Sequence, residues 1–108
     1  MRKDFSIDGR VIGLQDPPYG VAELTANHNG DFSRAIKTID MAKAMGADAI
    51  KLQTYSADTI TINSDKEDFQ IHGGLWDGNT LYRLYEQAQT PFEWHKDLFD
   101  HARKTGIT

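Results

Sequence analysis

The 108-residue sequence has no cysteine, only three prolines, and no apolar run near the length of a membrane span. Without cysteine, neither a disulfide framework nor a thiolate-ligated zinc site can form. Without an apolar stretch of ~18–20 residues, no membrane span is expected. Met1-Arg-Lys-Asp-Phe5 leads into no apolar core, so no signal peptide is expected either. Positive charge is also scarce, with 12 Lys and Arg against 16 Asp and Glu, a net charge of -4 and no basic block. That balance argues against a nucleic-acid partner. What is present, 39% hydrophobic and 10% aromatic residues, excludes disorder by composition. The expectation is a soluble, cytoplasmic globular domain, or a piece of one, with room for a single small core.

Phe5 to Ile12 predicts two short strands around Asp8-Gly9, a dipeptide suited to the positive-φ positions of a tight hairpin. Pro17-Pro18 then blocks a helix, and Tyr19 to Leu24 predicts a strand. Asp31 can cap a helix whose apolar residues fall at Phe32, Ala35, Ile36, Ile39, Ala42 and Met45, with Gly46 placed to stop it. Ala47 to Thr54 predicts a second strand. Strand, helix and strand joined by short loops make a βαβ unit with a parallel pair. Residues 55–78 form a long polar connection, expected to be functional or disordered. A short helix is predicted over Thr80 to Gln87. Thr90-Pro-Phe-Glu93 then reads as a capping box that opens a second main helix. Its expected apolar stripe is Phe92, His95, Phe99 and Ala102, with Leu98 beside it. Ile107-Thr108 would open a third strand. This pattern fits the start of a (β/α)8 barrel or of an open doubly wound sheet.

Strand alternation sorts the chemistry-bearing residues. Val21 and Glu23 share one face of the first strand, and Lys51 and Gln53 share one face of the second. These polar faces lie near the C-terminal strand ends, where parallel α/β proteins place their sites. Lys51 and Gln53 stand about 7 Å apart, a spacing that lets an ammonium and an amide grip a phosphate or carboxylate. The alternative is that Glu23 and Lys51 simply pair across adjacent strands. Asn27-His28-Asn29-Gly30 lies where a catalytic loop would sit, but also suits a plain turn and helix start. Among the other histidines, His95 is expected as a hydrogen-bonded core residue. His101 lies roughly 240° around the same helix, so the two cannot share a metal. In the long loop, Trp76 is a candidate anchor and Asp77 a candidate ligand contact. The acidic run Asp65 to Asp68 is expected to be solvated.

Two segments, Ala22-Glu-Leu-Thr-Ala-Asn-His-Asn-Gly30 and Gly46-Ala-Asp-Ala-Ile-Lys-Leu-Gln-Thr54, resemble the opening of the sialic acid synthase family. Three more, Asn63-Ser-Asp-Lys-Glu-Asp-Phe69, Gly73-Gly-Leu-Trp-Asp77 and Thr90-Pro-Phe-Glu-Trp-His95, resemble its pseudaminic acid synthase branch. The resemblance runs from about Pro17 to Ile107. It implies the N-terminal part of a (β/α)8 TIM barrel: a hairpin over residues 1–16, then two β/α units and the start of a third strand over 17–108. On that reading the length marks a truncation point within a barrel of ~250 residues.

The implied reaction condenses phosphoenolpyruvate with an N-acylated amino sugar, 2,4-diacetamido-2,4,6-trideoxy-altrose. The product is a nine-carbon keto acid, and phosphate is released. The resemblance further implies a divalent metal of the Mn, Mg or Co class, held by residues outside this chain, and a homodimer. By the same carry-over, Lys51 and Gln53 hold phosphoenolpyruvate and Glu23 acts at the sugar or a metal-bound water. Asn27 and His28 shape the sugar site, and Asp77 contacts the sugar from the long loop. The alternatives are an N-acetylneuraminate or legionaminate synthase segment and, from another class, a non-catalytic fragment or interaction module.

Overall fold

A computed structural model describes residues 3–108; Met1 and Arg2, part of the expected 1–16 hairpin segment, lie outside the described residues. Strands β1 (Phe5–Ile7) and β2 (Arg10–Ile12) pair antiparallel, with Phe5 opposite Ile12. The turn between them places Asp8 at φ 49° and Gly9 at φ 80°, the left-handed pair that matches the twist of a two-residue hairpin.

Strand β3 (Val21–Leu24), helix α1 (Phe32–Ala44) and strand β4 (Ala49–Leu52) form the expected βαβ unit. The strands are parallel, with Val21 against Ala49 and Leu24 against Leu52. Asp31 caps α1 by accepting the Arg34 N–H at 3.2 Å, an interaction that contributes about 1 kcal/mol. Gly46, at φ 90°, ends the helix. The strands are shorter than the apolar pattern because their ends have other partners. The Gly20 N–H donates to the Asp48 carboxylate at 2.7 Å, and the Asp48 N–H donates back to the Gly20 carbonyl at 2.9 Å. Beyond β4, the Ile50 N–H donates to the Thr108 carbonyl at 2.8 Å and the Thr108 N–H donates to the Asp48 carbonyl at 3.2 Å. Ile107-Thr108 thus begins a third strand on the free edge of β4.

Helix α4 (His95–Thr105) packs on α1. The core is Leu24, Ala35, Ile39, Leu98, Ala102 and Ile107, with Ile50, Leu52 and Trp94 against it. Two expectations for this helix are corrected. The Thr90–Glu93 capping box does not form: a 3-10 turn over Phe92–Trp94 precedes α4, and Pro91 stands before that turn. The Thr90 hydroxyl is engaged elsewhere, as described below. The tight turn leaves Phe92 outside the α-helix, and within α4 the buried residues are Leu98 and Ala102. Phe92 and Phe99 are left 60% and 53% exposed.

The long connection is ordered. It contains α2 (Ala57–Ile60) and a 3-10 turn at Glu67–Phe69, and the predicted short helix follows it as α3 (Leu81–Ala88), whose first turn Thr80 caps. The Tyr82 hydroxyl donates to Asp58 at 3.0 Å, and Tyr55 meets Tyr85 edge-on at 5.7 Å. Among the described residues, no helix is long and apolar enough to cross a membrane.

Candidate functional site

The N- and C-terminal ends of the β3–β4 pair are built differently. At the N-terminal end Arg10 is ion-paired with Asp48, donates to the Pro17 and Pro18 carbonyls, and lies over the Tyr19 ring. Together with the Gly20 bond, these contacts anchor the hairpin to the strands. Thr108 adds a further tie by donating to Asp8 at 2.9 Å. This end is structural.

At the C-terminal end the polar residues stand on the face away from the helices. Leu24, Ile50 and Leu52 turn toward α1 and α4, while Glu23, Lys51 and Gln53 are exposed on the other side. The register sets Glu23 directly beside Lys51, and the ammonium donates to the carboxylate at 2.5 Å. The cross-strand pairing is therefore present, at the strand ends where parallel α/β proteins place their sites. The side chains are 55% and 57% exposed. A pair this open contributes about 0–1 kcal/mol, too little to explain two charges at one strand end. Gln53 follows on the same side, its N–H continuing the ladder to the Leu24 carbonyl at 3.3 Å.

The loop after β3 is a 3-10 turn over Ala26–His28, closed by Asn29 at φ 51° and Gly30 at φ 70°. Exposed Asn27 folds back to accept the Thr25 N–H at 3.0 Å. His28 is fully buried, and both ring nitrogens have partners within the chain. Its Nδ1 accepts the Gly30 N–H at 3.0 Å, which leaves the proton on Nε2, donated to the Thr90 hydroxyl at 3.1 Å. The Trp94 ring meets it edge-on at 5.3 Å. His28, expected with Asn27 to shape the sugar site, has its ring nitrogens turned to Gly30 and Thr90.

Burial holds His28 below the ordinary imidazole range. As pH falls below about 6.5, the unfolded chain gains a proton that folded His28 refuses. Stability from this group is therefore complete above that range and declines as pH drops toward the lowered folded value. Urea titrations between pH 7.5 and 5 should show this decline, and a His28→Gln variant should flatten it. An unchanged slope in the variant would refute the assignment.

Asp77 serves its own loop, accepting the Gly73 N–H at 2.7 Å, and is not brought to Glu23 or Lys51 by any described hydrogen bond. Trp76 beside it is half-buried and Leu75 is 91% exposed. Residues 65–68 are exposed, as expected for a solvated run. His95 is half-buried and hydrogen-bonded: Nδ1 lies 3.2 and 3.1 Å from the Pro91 and Phe92 carbonyls, and Nε2 lies 2.5 Å from the Thr54 hydroxyl. His72 pairs with Glu67, and His101 pairs with Asp40. Among the described residues no group of three His, Asp or Glu side chains can hold a metal ion. The described residues therefore do not by themselves fit a metal centre.

Sequence reasoning missed Thr54 and Thr90. Thr54 ends the second apolar run and Thr90 precedes Pro91. Threonines at both ends of a long loop were the available signal, obscured because a capping box accounted for Thr90 locally.

A sequence profile described as the NeuB family matches residues 38–108. The chain is 59% identical over 87 residues to pseudaminic acid synthase of Campylobacter jejuni, covering 81% of this chain and 25% of that protein. It is 51% identical over 94 residues to pseudaminic acid synthase of Helicobacter pylori, covering 87% and 28%. Among solved structures, an N-acetylneuraminic acid synthetase of Leptospira borgpetersenii superposes with a TM-score of 0.74 at 25% identity, over 97% of this chain and 32% of that one. The chain thus spans about a quarter of the length of the curated relatives it matches.

Proposed function

Since the chain belongs to the NeuB family, we propose that it forms the first two β/α units of a pseudaminic acid synthase. On this reading the chain is one part of a longer, full-length protein. It condenses phosphoenolpyruvate with 2,4-diacetamido-2,4,6-trideoxy-altrose. The methylene carbon of phosphoenolpyruvate attacks the sugar aldehyde, water adds at C2, and phosphate leaves by C–O cleavage. A divalent metal ligated beyond these residues assists the reaction, and the protein works as a homodimer in the cytoplasm.

The observation that carries this reading is the Glu23–Lys51 pair on the open face at the C-terminal strand ends. Lys51 supplies a compact cation for the phosphate or carboxylate of phosphoenolpyruvate, already oriented by its neighbour. Gln53 adds an amide donor on the same side. Glu23, the acid at that strand end, steers a proton or a hydroxyl of the sugar. Asn27, exposed in the following loop, borders the sugar, and Asp77 approaches from the second loop.

The choice of sugar is supported by identity: 59% and 51% to pseudaminic acid synthases, against 47% to N-acetylneuraminate-9-phosphate synthase of Homo sapiens and 33% to N,N'-diacetyllegionaminic acid synthase of Campylobacter jejuni. The full-length protein should therefore release phosphate from phosphoenolpyruvate fastest with the altrose-configured sugar. Assays with that sugar, N-acetylmannosamine and the legionaminic precursor decide it. Preference for either of the last two would replace the substrate, and no release with any of them would favour a non-catalytic role.

A further inference from the structure

Two hydrogen bonds that the proposed chemistry leaves unused converge on one short segment. Residue 90, at its start, receives the His28 Nε2–H from the loop after β3. Residue 95, at its end, takes the Thr54 hydroxyl from the exit of β4 at 2.5 Å. The His95 tautomer is set by its other nitrogen. Nδ1 faces only carbonyl oxygens, Pro91 at 3.2 Å and Phe92 at 3.1 Å, and so carries the proton. Nε2 is left to accept from Thr54. Between these ties Trp94 packs edge-on against both His28, at 5.3 Å, and Phe32, at 5.4 Å. Thr90 is 1% exposed and His28 fully buried, so neither polar group can exchange its partner for water.

We infer that residues 90–95 form a clasp across the two strand ends, with His28, Thr90, Thr54 and His95 as positioning residues. The clasp fixes the Asn27 loop relative to Lys51 and Gln53. Without it, the loop after β3 is joined to the β4 exit only through the strand ladder and α1. Two ties at opposite ends of a six-residue segment remove the remaining hinge motion. The same ties close the base of the loop between Thr54 and Thr90, which carries Asp77. A displacement of about 1 Å between substrate-holding groups is enough to cost on the order of a hundredfold in rate. A clasp at this place therefore acts on the fit of the second substrate more than on the binding of the first.

This inference deepens the proposed function, and its test separates the two. In the full-length protein, Thr90→Val keeps the shape of the side chain but leaves the buried His28 Nε2–H without an acceptor, whereas Thr90→Ser retains the hydroxyl. Hydrogen exchange is read at the Asn29, Gly30 and Asp31 amides, which donate to Ala26, His28 Nδ1 and the His28 carbonyl. Exchange there should rise on the order of tenfold in Thr90→Val, with the β3–β4 ladder unchanged and Thr90→Ser close to wild type. The KM for the sugar should rise on the order of tenfold, while phosphoenolpyruvate binding measured without sugar stays within about twofold. Thr54→Val should shift the sugar KM in the same direction.

Unchanged exchange at the three amides would overturn the clasp. So would an equal loss for both substrates that Thr90→Ser fails to restore. If the wild-type protein releases no phosphate with any sugar, the proposed function falls, and the exchange measurement still decides the clasp on its own.

Discussion

Replacing Lys51 by alanine in the full-length protein should lower kcat/KM for phosphoenolpyruvate by about 10²–10³-fold, equivalent to roughly 3–4 kcal/mol of transition-state stabilisation. The loss exceeds that of one cation because of the register. Glu23 lies directly beside Lys51, and its carboxylate oxygen is 2.5 Å from the ammonium. Removing the ammonium leaves that carboxylate facing an anionic substrate, so attraction becomes repulsion. The fold should survive, because a pair with both side chains more than half exposed contributes at most about 1 kcal/mol. Lys51→Arg should recover only part of the activity, since a planar guanidinium does not occupy the place of a compact ammonium. Steady-state phosphate release checks this, with circular dichroism confirming the fold. Parental phosphoenolpyruvate kinetics in Lys51→Ala would remove the residue from the site.

Leu98→Ala should cause the largest loss of stability, about 2–5 kcal/mol by urea unfolding of the full-length protein. Leu98 is fully buried in the cluster with Leu24, Ala35, Ile39 and Ala102, where α4 meets α1 and the strands. Truncation removes its transfer energy and leaves a cavity that two packed helices cannot readily close. Activity per folded molecule should change less than stability, because this side of the sheet faces away from Glu23 and Lys51. A loss under about 0.5 kcal/mol would show that α4 is not a structural member of this core.

Local chemistry explains which elements were legible in the sequence. Asp8-Gly9 makes its turn because few other pairs accept two positive φ values in succession. Asp31 and Gly46 delimit α1 by satisfying or releasing backbone groups at its two ends. The alternation that set Glu23 and Lys51 apart from Leu24 and Leu52 follows from strand geometry alone. In α4 the apolar spacing admitted both Leu98 and Phe99, about 100° apart around the helix, and packing against α1 buries Leu98 and leaves Phe99 exposed.

Residue types and their spacing in the sequence determined the βαβ order, the polar strand face and the family resemblance, since each depends on neighbours a few positions apart. Tertiary structure alone decided the partners of groups far apart in the chain. It gave Thr90 to His28, 62 positions away, rather than to the helix it precedes. It gave Asp48 to Arg10 across 38 positions, and Thr54 to His95 across 41. A buried donor must find an acceptor once water is excluded, but which acceptor it finds depends on how the layers pack. His28 illustrates the difference. Its place in an Asn-His-Asn-Gly loop was evident from the sequence, but its bond to Thr90 and its contact with Trp94 appear only when that loop packs against residues 90–94.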